Sequence, residues 1–311
     1  MDIPTIHPRA LRPGDTIGIV APAGPVESRE SVAAGVAVLE RMGFHVRFDE
    51  RIFEVQKYLA GADVARAAEL MRCFESPDIQ AVLPLRGGYG CARLIPLLDE
   101  RRLRHNCRVF MGFSDLTTLH LFFRRRLGWT TAHGPMATSA SLANMGAAEE
   151  EHLLRLLTDS AYLPRYSFTE TEAWYPGTIE GRLAGGCLSI ILASLGTPYE
   201  IRTEGKILFL EDLGEAPYRI DRMFTQLRLA GKFEGIAGVV LGTFLDCVPT
   251  QGDYTVDDVL RELLEPLQVP TLAHFPAGHG ASNWAFPLGL RFRLVADEKR
   301  LQVLEPFVSP R

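Results

Sequence analysis

The sequence predicts an α/β protein whose first 135 residues build a parallel sheet covered by helices on both faces. Three observations predict it. Short apolar runs ending in small residues alternate with longer stretches of helical spacing. The runs are apolar throughout rather than on every second residue, as strands buried on both faces must be. At 311 residues the chain also exceeds the usual size of one domain, so a second domain is expected after this sheet.

Thr16 to Ala21 is the first strand, broken by Pro22-Ala23-Gly24-Pro25. A helix over Ser28 to Met42, stopped by Gly43, leads into a second strand at Phe44 to Phe48. Asp63 to Phe74 has helical spacing, and Ala81 to Leu85 is a strand running into Arg86-Gly87-Gly88-Tyr89-Gly90. A helix over Ala92 to Asp99, a strand over Arg108 to Gly112 and a helix over Leu116 to Leu127 continue the alternation. The pattern weakens from Glu149 to Trp174, and 151–174 reads as a connection between domains 1–150 and 175–311. Beyond it come strands at Gly177 to Leu183, Lys206 to Leu210 and Val239 to Gly242. Helices follow at Leu188 to Leu195, Arg219 to Ala230 and Val256 to Leu264, and a hairpin over Leu290 to Leu304 turns at Asp297-Glu298-Lys299.

Composition excludes several function classes. The chain is 47% hydrophobic with a formal net charge of −5 and no basic face of the kind nucleic acid requires. Arg124-Arg125-Arg126 reads as a solvated helix end. The N-terminus lacks the basic start and apolar core of a secretory signal, and the most apolar stretch, Leu183 to Leu195, is shorter than the roughly 20 residues that cross a bilayer. Cysteines 73, 91, 107, 187 and 247 are scattered, odd in number and without a C-x-x-C pair, which suits a reducing compartment and predicts a cytoplasmic protein. Neither H-E-x-x-H nor a Cys/His cluster of zinc spacing occurs, so no metal and no cofactor is expected.

Ser114 is the first candidate for chemistry. Gly112-Phe113-Ser114-Asp115 stands where a buried strand gives way to a helix, at the edge where open α/β sheets bind their ligands. A hydroxyl there has a helix amino terminus behind it to favour developing negative charge, although the second glycine of a nucleophile elbow is replaced by Leu116. The same residue type is a favoured helix N-cap, and the local sequence leaves both roles open. Arg86-Gly87-Gly88-Tyr89-Gly90, after the neighbouring strand, offers close backbone approach; the N–H of Gly88 is a candidate oxyanion donor, and Arg86, Gly87 and Tyr89 are candidate substrate contacts. Glu211 and Asp212 both follow the strand Ile207 to Leu210, and alternation does not choose between them. Among eight histidines, His279 between Gly278 and Gly280 is the accessible one and His133 its rival; His120 is expected to face a neighbouring element, and His274 to be packed or functional.

Taken in order, these pieces resemble the LD-carboxypeptidases, serine peptidases that include muramoyl-tetrapeptide carboxypeptidases and microcin C self-immunity proteins. The resemblance runs through Leu11 to Asp15, Val20 to Gly24, Arg86 to Gly90, Gly112 to Asp115, Gly181 to Gly186, Glu211-Asp212 and Gly278 to Gly280. It implies a flavodoxin-like N-terminal domain and a smaller, β-rich α/β C-terminal domain, with a triad formed where they meet: Ser114 as nucleophile, His279 as base and Glu211 as the acid orienting it. It further implies backbone N–H groups of Gly88 and Asp115 as the oxyanion hole, no cofactor, a homodimer and a muropeptide substrate losing its terminal D-alanine. An immunity-type amidase is the alternative within the family. The compact chain, with Trp129, Trp174 and Trp284 well separated, tilts the expectation toward the carboxypeptidase. A catalytically silent binding protein is a third possibility from outside catalysis.

Overall fold

The computed structural model describes residues 3–311. In chain order its elements are β1 (Thr16–Val20), α1 (Arg29–Arg41), β2 (His45–Arg47), α2 (Asp63–Glu75), β3 (Ala81–Pro84), α3 (Cys91–Leu94), α4 (Glu100–Leu103), β4 (Val109–Gly112), α5 (Thr117–Phe122), β5 (Thr131–His133), α6 (Ala140–Ala143) and α7 (Ala147–Thr158). There follow β6 (Arg165–Ser167), β7 (Glu172–Tyr175), β8 (Thr178–Cys187), α8 (Leu188–Ala193), β9 (Lys206–Leu213), α9 (Pro217–Leu229), β10 (Gly238–Leu245), α10 (Val256–Leu264), β11 (Thr271–Ala273), β12 (Phe286–Leu288), β13 (Arg291–Val295) and β14 (Arg300–Val303). Caps set several boundaries: the Ser28 hydroxyl accepts the N–H of Ser31 at 3.1 Å at the start of α1, and Thr255 with Asp258 forms a capping box on α10.

The chain divides into two compact units, one of residues 1–162, 284–287 and 306–311, the other of 163–283 and 288–305. In the first, six strands lie in the order β12-β5-β4-β3-β1-β2, and the pairs from β5 to β2 are all parallel. The order 2-1-3-4-5 is that of a flavodoxin-like sheet, with β12 added beyond β5. Its strands β1, β3 and β4 are almost wholly buried, as uninterrupted apolar runs require. Phe74, Phe110, Phe123 and Trp129 pack edge to face and tilted beneath it, with centroids 5.0–6.1 Å apart.

The second unit holds an eight-stranded mixed sheet in the order β6-β14-β13-β8-β9-β10-β11-β7. The central strands β8, β9, β10 and β11 run parallel, while β6, β14 and β13 on one side and β7 on the other are antiparallel to their neighbours. The predicted hairpin is β13 and β14, turning at 296–298.

Three details differ from expectation. The stretch 151–174, taken as a connection, holds most of α7 and the strands β6 and β7. A short helix is expected there, but β6 and β7, of three and four residues at the two edges of their sheet, are too short to show a period. The helix expected to Asp99 ends as α helix at Leu94, because Pro96 tightens the next turn to 3-10 form. Strand β9 continues through Leu213, so Glu211 and Asp212 lie within it rather than after it. No helix of the described residues is long and apolar enough to cross a membrane.

Candidate active site

In the first unit, β4 ends at Gly112 and the chain turns sharply into a 3-10 segment, Ser114–Leu116, that feeds α5. Ser114 has φ +62°, in the left-handed region that a residue with a side chain rarely occupies. Phe113 is the capping position and Ser114 the first residue of the 3-10 segment, so the serine does not fill the N-cap role left open by the local sequence. The side chain is half-buried.

The loop after β3 lies against this turn. A Cβ on Gly87 would stand 2.8 Å from Ser114 Cβ and 3.0 Å from its Oγ, so only glycine permits the approach. The Gly87 carbonyl accepts the N–H of Gly24 from the loop after β1 at 3.0 Å. Arg86 sends Nη1 to the Pro25 carbonyl at 3.1 Å and to Glu27 at 3.3 Å, so it pairs with a nearby acid in this structure. Tyr89 is exposed and leans on Tyr58, ring centroids 5.8 Å apart. Asp115 is buried, and its carboxylate accepts the N–H of Cys91 at 2.8 Å.

In the second unit, Glu211 near the end of β9 is fully buried, and its Oε2 accepts the Nδ1–H of His279 at 2.7 Å. Asp212 points to the opposite face, where it takes the N–H of Ser189 at 2.8 Å and secures the start of α8. Structure therefore separates the two acids that alternation left equivalent. His279 reaches Glu211 because its loop is stitched across β10: Thr243 N–H donates to Ala277 O at 2.9 Å, and Phe275 N–H to Leu241 O at 3.0 Å. Gly278 has φ +113°, and a Cβ there would lie 2.5 Å from Glu211 Oε2. Buried Asn283 accepts the Gly278 N–H at 3.0 Å and holds the loop; no sequence motif marks it. A cavity of about 440 Å³ lies beside this loop, lined among others by Trp174, Thr243, Asp257, His274, Gly280 and Ser282.

The electrostatics suit a base and its orienting acid. Burial raises the Glu211 carboxyl above the usual range, opposed by its bond to His279. Burial also works against the imidazolium of His279, but the hydrogen bond and charge of Glu211, aided by Asp212, outweigh it and leave the pKa raised. With Nδ1–H fixed on the carboxylate, Nε2 is the nitrogen able to take a proton.

Other histidines have structural surroundings. His120 is buried, with Nδ1 2.8 Å from Thr131 Oγ1 and Nε2 2.9 Å from Gly112 O, as expected of a side chain facing a neighbouring element. His133, the rival base, is buried and stacked on Phe286 at 5.0 Å. His274 pairs with Asp257 at 3.0 Å. Among the described residues no group of His, Cys, Asp or Glu could hold a metal ion.

Comparison with known proteins agrees across both units. The LD-carboxypeptidase N-terminal domain matches residues 17–134, and the LD-carboxypeptidase C-terminal domain matches residues 180–294. A protein of Bacillus subtilis (strain 168) described as a probable murein peptide carboxypeptidase is 34% identical over 305 residues, 97% of this chain and 95% of its own. The crystal structure of muramoyltetrapeptide carboxypeptidase from Oxalobacter formigenes superposes with TM-score 0.80 at 28% identity, covering 93% of this chain and 97% of that one. MccF in complex with glutamyl sulfamoyl guanosine shares the fold, with TM-score 0.90 at 24% identity over 97% of this chain and 99% of that one. With both halves matched and a relative this similar along its whole length, the chain belongs to the LD-carboxypeptidase family of serine carboxypeptidases.

Proposed function

We propose that this protein removes the terminal D-alanine from muropeptide tetrapeptides in cell-wall recycling, with Ser114, His279 and Glu211 acting as a catalytic triad. His279 Nε2 takes the hydroxyl proton as Ser114 Oγ attacks the scissile carbonyl carbon. The N–H groups of Gly88 and Asp115 receive the oxyanion. Collapse of the tetrahedral intermediate breaks the C–N bond, and the departing amine of D-alanine takes the proton from His279. Water then attacks the acyl-enzyme, giving its proton to the same nitrogen, which passes it to Ser114 Oγ as the ester C–O bond breaks and the tripeptide leaves with a free carboxylate.

The observation that carries the reading is the backbone of Ser114. A serine held at φ +62° after a central parallel strand, inside the 3-10 segment rather than at its cap, costs on the order of 1–3 kcal/mol, which packing alone does not require. The His279–Glu211 pair at 2.7 Å, its acid fully buried, adds support. The substrate rests on the B. subtilis protein described as a probable murein peptide carboxypeptidase, 34% identical; the Escherichia coli microcin C7 self-immunity protein MccF is 26% identical over 344 residues, which makes an immunity-type amidase the second reading. Arg86, Gly87 and Tyr89 are proposed to line the substrate channel, Arg86 exchanging Glu27 for a substrate carboxylate. Five cysteines, none in a disulfide among the described residues, support work in the reducing cytoplasm, and a homodimer is part of the same proposal, testable by light scattering.

The test is D-alanine release from a defined L,D-tetrapeptide. Ser114→Ala is expected to fold and to lose on the order of 10⁴ to 10⁶ in turnover. Near-normal release by that variant removes Ser114 from the mechanism, and preference for an aminoacyl sulfamoyl nucleotide over the tetrapeptide selects the second reading.

A further inference from the structure

The side chain of Asp115 has no part in the triad, yet it is 1% exposed and carries a carboxylate into the interior. Its Oδ2 accepts the N–H of Cys91 at 2.8 Å. The carbonyl of that same peptide unit, Gly90 O, accepts from Nη1 of Arg66 at 3.2 Å, and Arg66 is itself completely buried. One peptide plane is thus gripped at both ends by a buried acid and a buried base. Arg66 also reaches the Pro22 carbonyl in the loop after β1 and is held in turn by Asp63. Asp63 is fixed by Arg93 at 2.8 Å.

The gripped peptide closes the loop that carries Gly88, two residues upstream, while Gly87 at the other end of that loop abuts Ser114. Nothing about packing requires a charge here, since a buried carboxylate is costly unless its hydrogen bonds and a counter-charge compensate it. Burial raises the Asp115 carboxyl, opposed by its bonds to Cys91 and by the charge of Arg66. What the arrangement does achieve is rigidity. The turn bearing one proposed oxyanion donor is tied through its own side chain to the loop bearing the other.

We propose that Asp115 is a positioning residue: through the Gly90–Cys91 peptide, and with Arg66 on the opposite end, its carboxylate sets the spacing of the Gly88 and Asp115 N–H groups that receive the oxyanion. This rests on the assignment of Ser114 as nucleophile. Donors preorganised in this way act on the tetrahedral species and not on the bound substrate. Removing the tie therefore costs kcat and leaves KM.

The experiment compares Asp115→Ala and Asp115→Asn with wild type for kcat, KM and affinity for a peptide boronic acid that becomes tetrahedral on Ser114. Ground-state affinity for the tetrapeptide is read by calorimetry in the Ser114→Ala background. Asp115→Ala is expected to lose about 10²-fold in kcat and in boronate affinity, in line with loss of one oxyanion donor, with KM and ground-state affinity within about threefold. Asp115→Asn keeps an acceptor for Cys91 N–H and is expected to recover to within about tenfold of wild type. Should the alanine variant not fold, the asparagine variant carries the same comparison through its boronate-to-substrate ratio. Normal kcat in Asp115→Ala, or equal losses in boronate and ground-state affinity in either variant, overturns the proposal. If Ser114→Ala itself stays active, the nucleophile assignment fails instead, whatever Asp115 does.

Discussion

Glu211→Gln is the most informative single change, because it removes a charge and leaves the shape. The wild-type carboxylate is fully buried and bonded to His279 Nδ1 at 2.7 Å. In the proposed mechanism His279 takes the serine proton, and the new imidazolium faces that carboxylate across about 4 Å between charge centres, worth about 4 kcal/mol at an effective dielectric near 20. That is roughly 10³-fold in rate. A second loss comes from the amide, which can donate to Nδ1 and so place the ring proton on Nε2, the wrong nitrogen for a base. Together they predict a fall of about 10³ to 10⁴ in kcat/KM, the order seen for the equivalent change in other triads. The pH profile gives an independent sign. His279 must be neutral to act, so activity rises with pH through its pKa, which Glu211 holds above the ordinary imidazole value. Without the carboxylate, burial is opposed only by the charge of Asp212, and the acid limb of the residual activity moves to lower pH. D-Alanine release followed from pH 5 to 9, coupled to an oxidase, reads both quantities. Retention of more than a tenth of wild-type kcat/KM with an unmoved acid limb would refute the role given to Glu211.

Three further outcomes are expected of the same structure. Gly278→Ala adds a Cβ 2.5 Å from Glu211 Oε2 at φ +113°; calorimetry should show a loss of at least about 1–2 kcal/mol, and turnover should drop about 10²-fold or more as His279 is displaced. His120 is buried with its pKa lowered to about 4, so it contributes stability that is whole above the ordinary histidine value and is lost as pH falls toward 4. Over that window the loss approaches about 3 kcal/mol, and His120→Gln should flatten the acid limb of urea-melt stability. His274 is raised by Asp257, opposed by burial, so its contribution is present at pH 5.5 and gone once pH exceeds the folded value; both groups are partly exposed, and Asp257→Asn should cost less than about 1 kcal/mol at pH 5.5 and nothing at pH 9.

What the sequence revealed followed physical rules that act locally. Strands β1, β3, β4 and β10 were legible because burial on both faces writes uninterrupted apolar runs. Helices α1, α2 and α10 carried spacing, and α1 and α10 carried caps as well. Strands β6, β7, β11 and β12, of three or four residues each, are too short to show a period and owe their state to partners distant in the chain. The site divides the same way. Ser114 and the glycine loop were visible as breaks after strands, but the local sequence could not say whether the hydroxyl capped a helix; that depended on a backbone angle. The choice of Glu211 over Asp212 depended on which face of β9 meets the His279 loop. The grip of Arg66 and Asp115 on one peptide, and of Asn283 on Gly278, joins residues whose spacing carries no motif.

The placement of chemistry in the two sheets obeys one rule. Ser114 follows β4, the Gly87–Gly88 loop follows β3, Glu211 lies at the far end of β9, and the His279 loop closes on the end of β10 through Thr243. All four strands belong to the parallel part of their sheet, where carboxyl ends share one edge and the loops leaving them converge. The antiparallel strands β6, β7, β13 and β14 carry no candidate, since neighbours of opposite sense send their loops to opposite edges. Convergence brings crowding, and the crowding falls where small or strained residues stand: Gly87 against Ser114, Gly278 against Glu211, and Ser114 itself at positive φ. Such contacts are expensive for a fold that needs only to pack. Their concentration at the carboxyl edges, with buried Arg66, Asp115 and Asn283 spent on holding them, is the reason to treat these loops as working parts rather than connections.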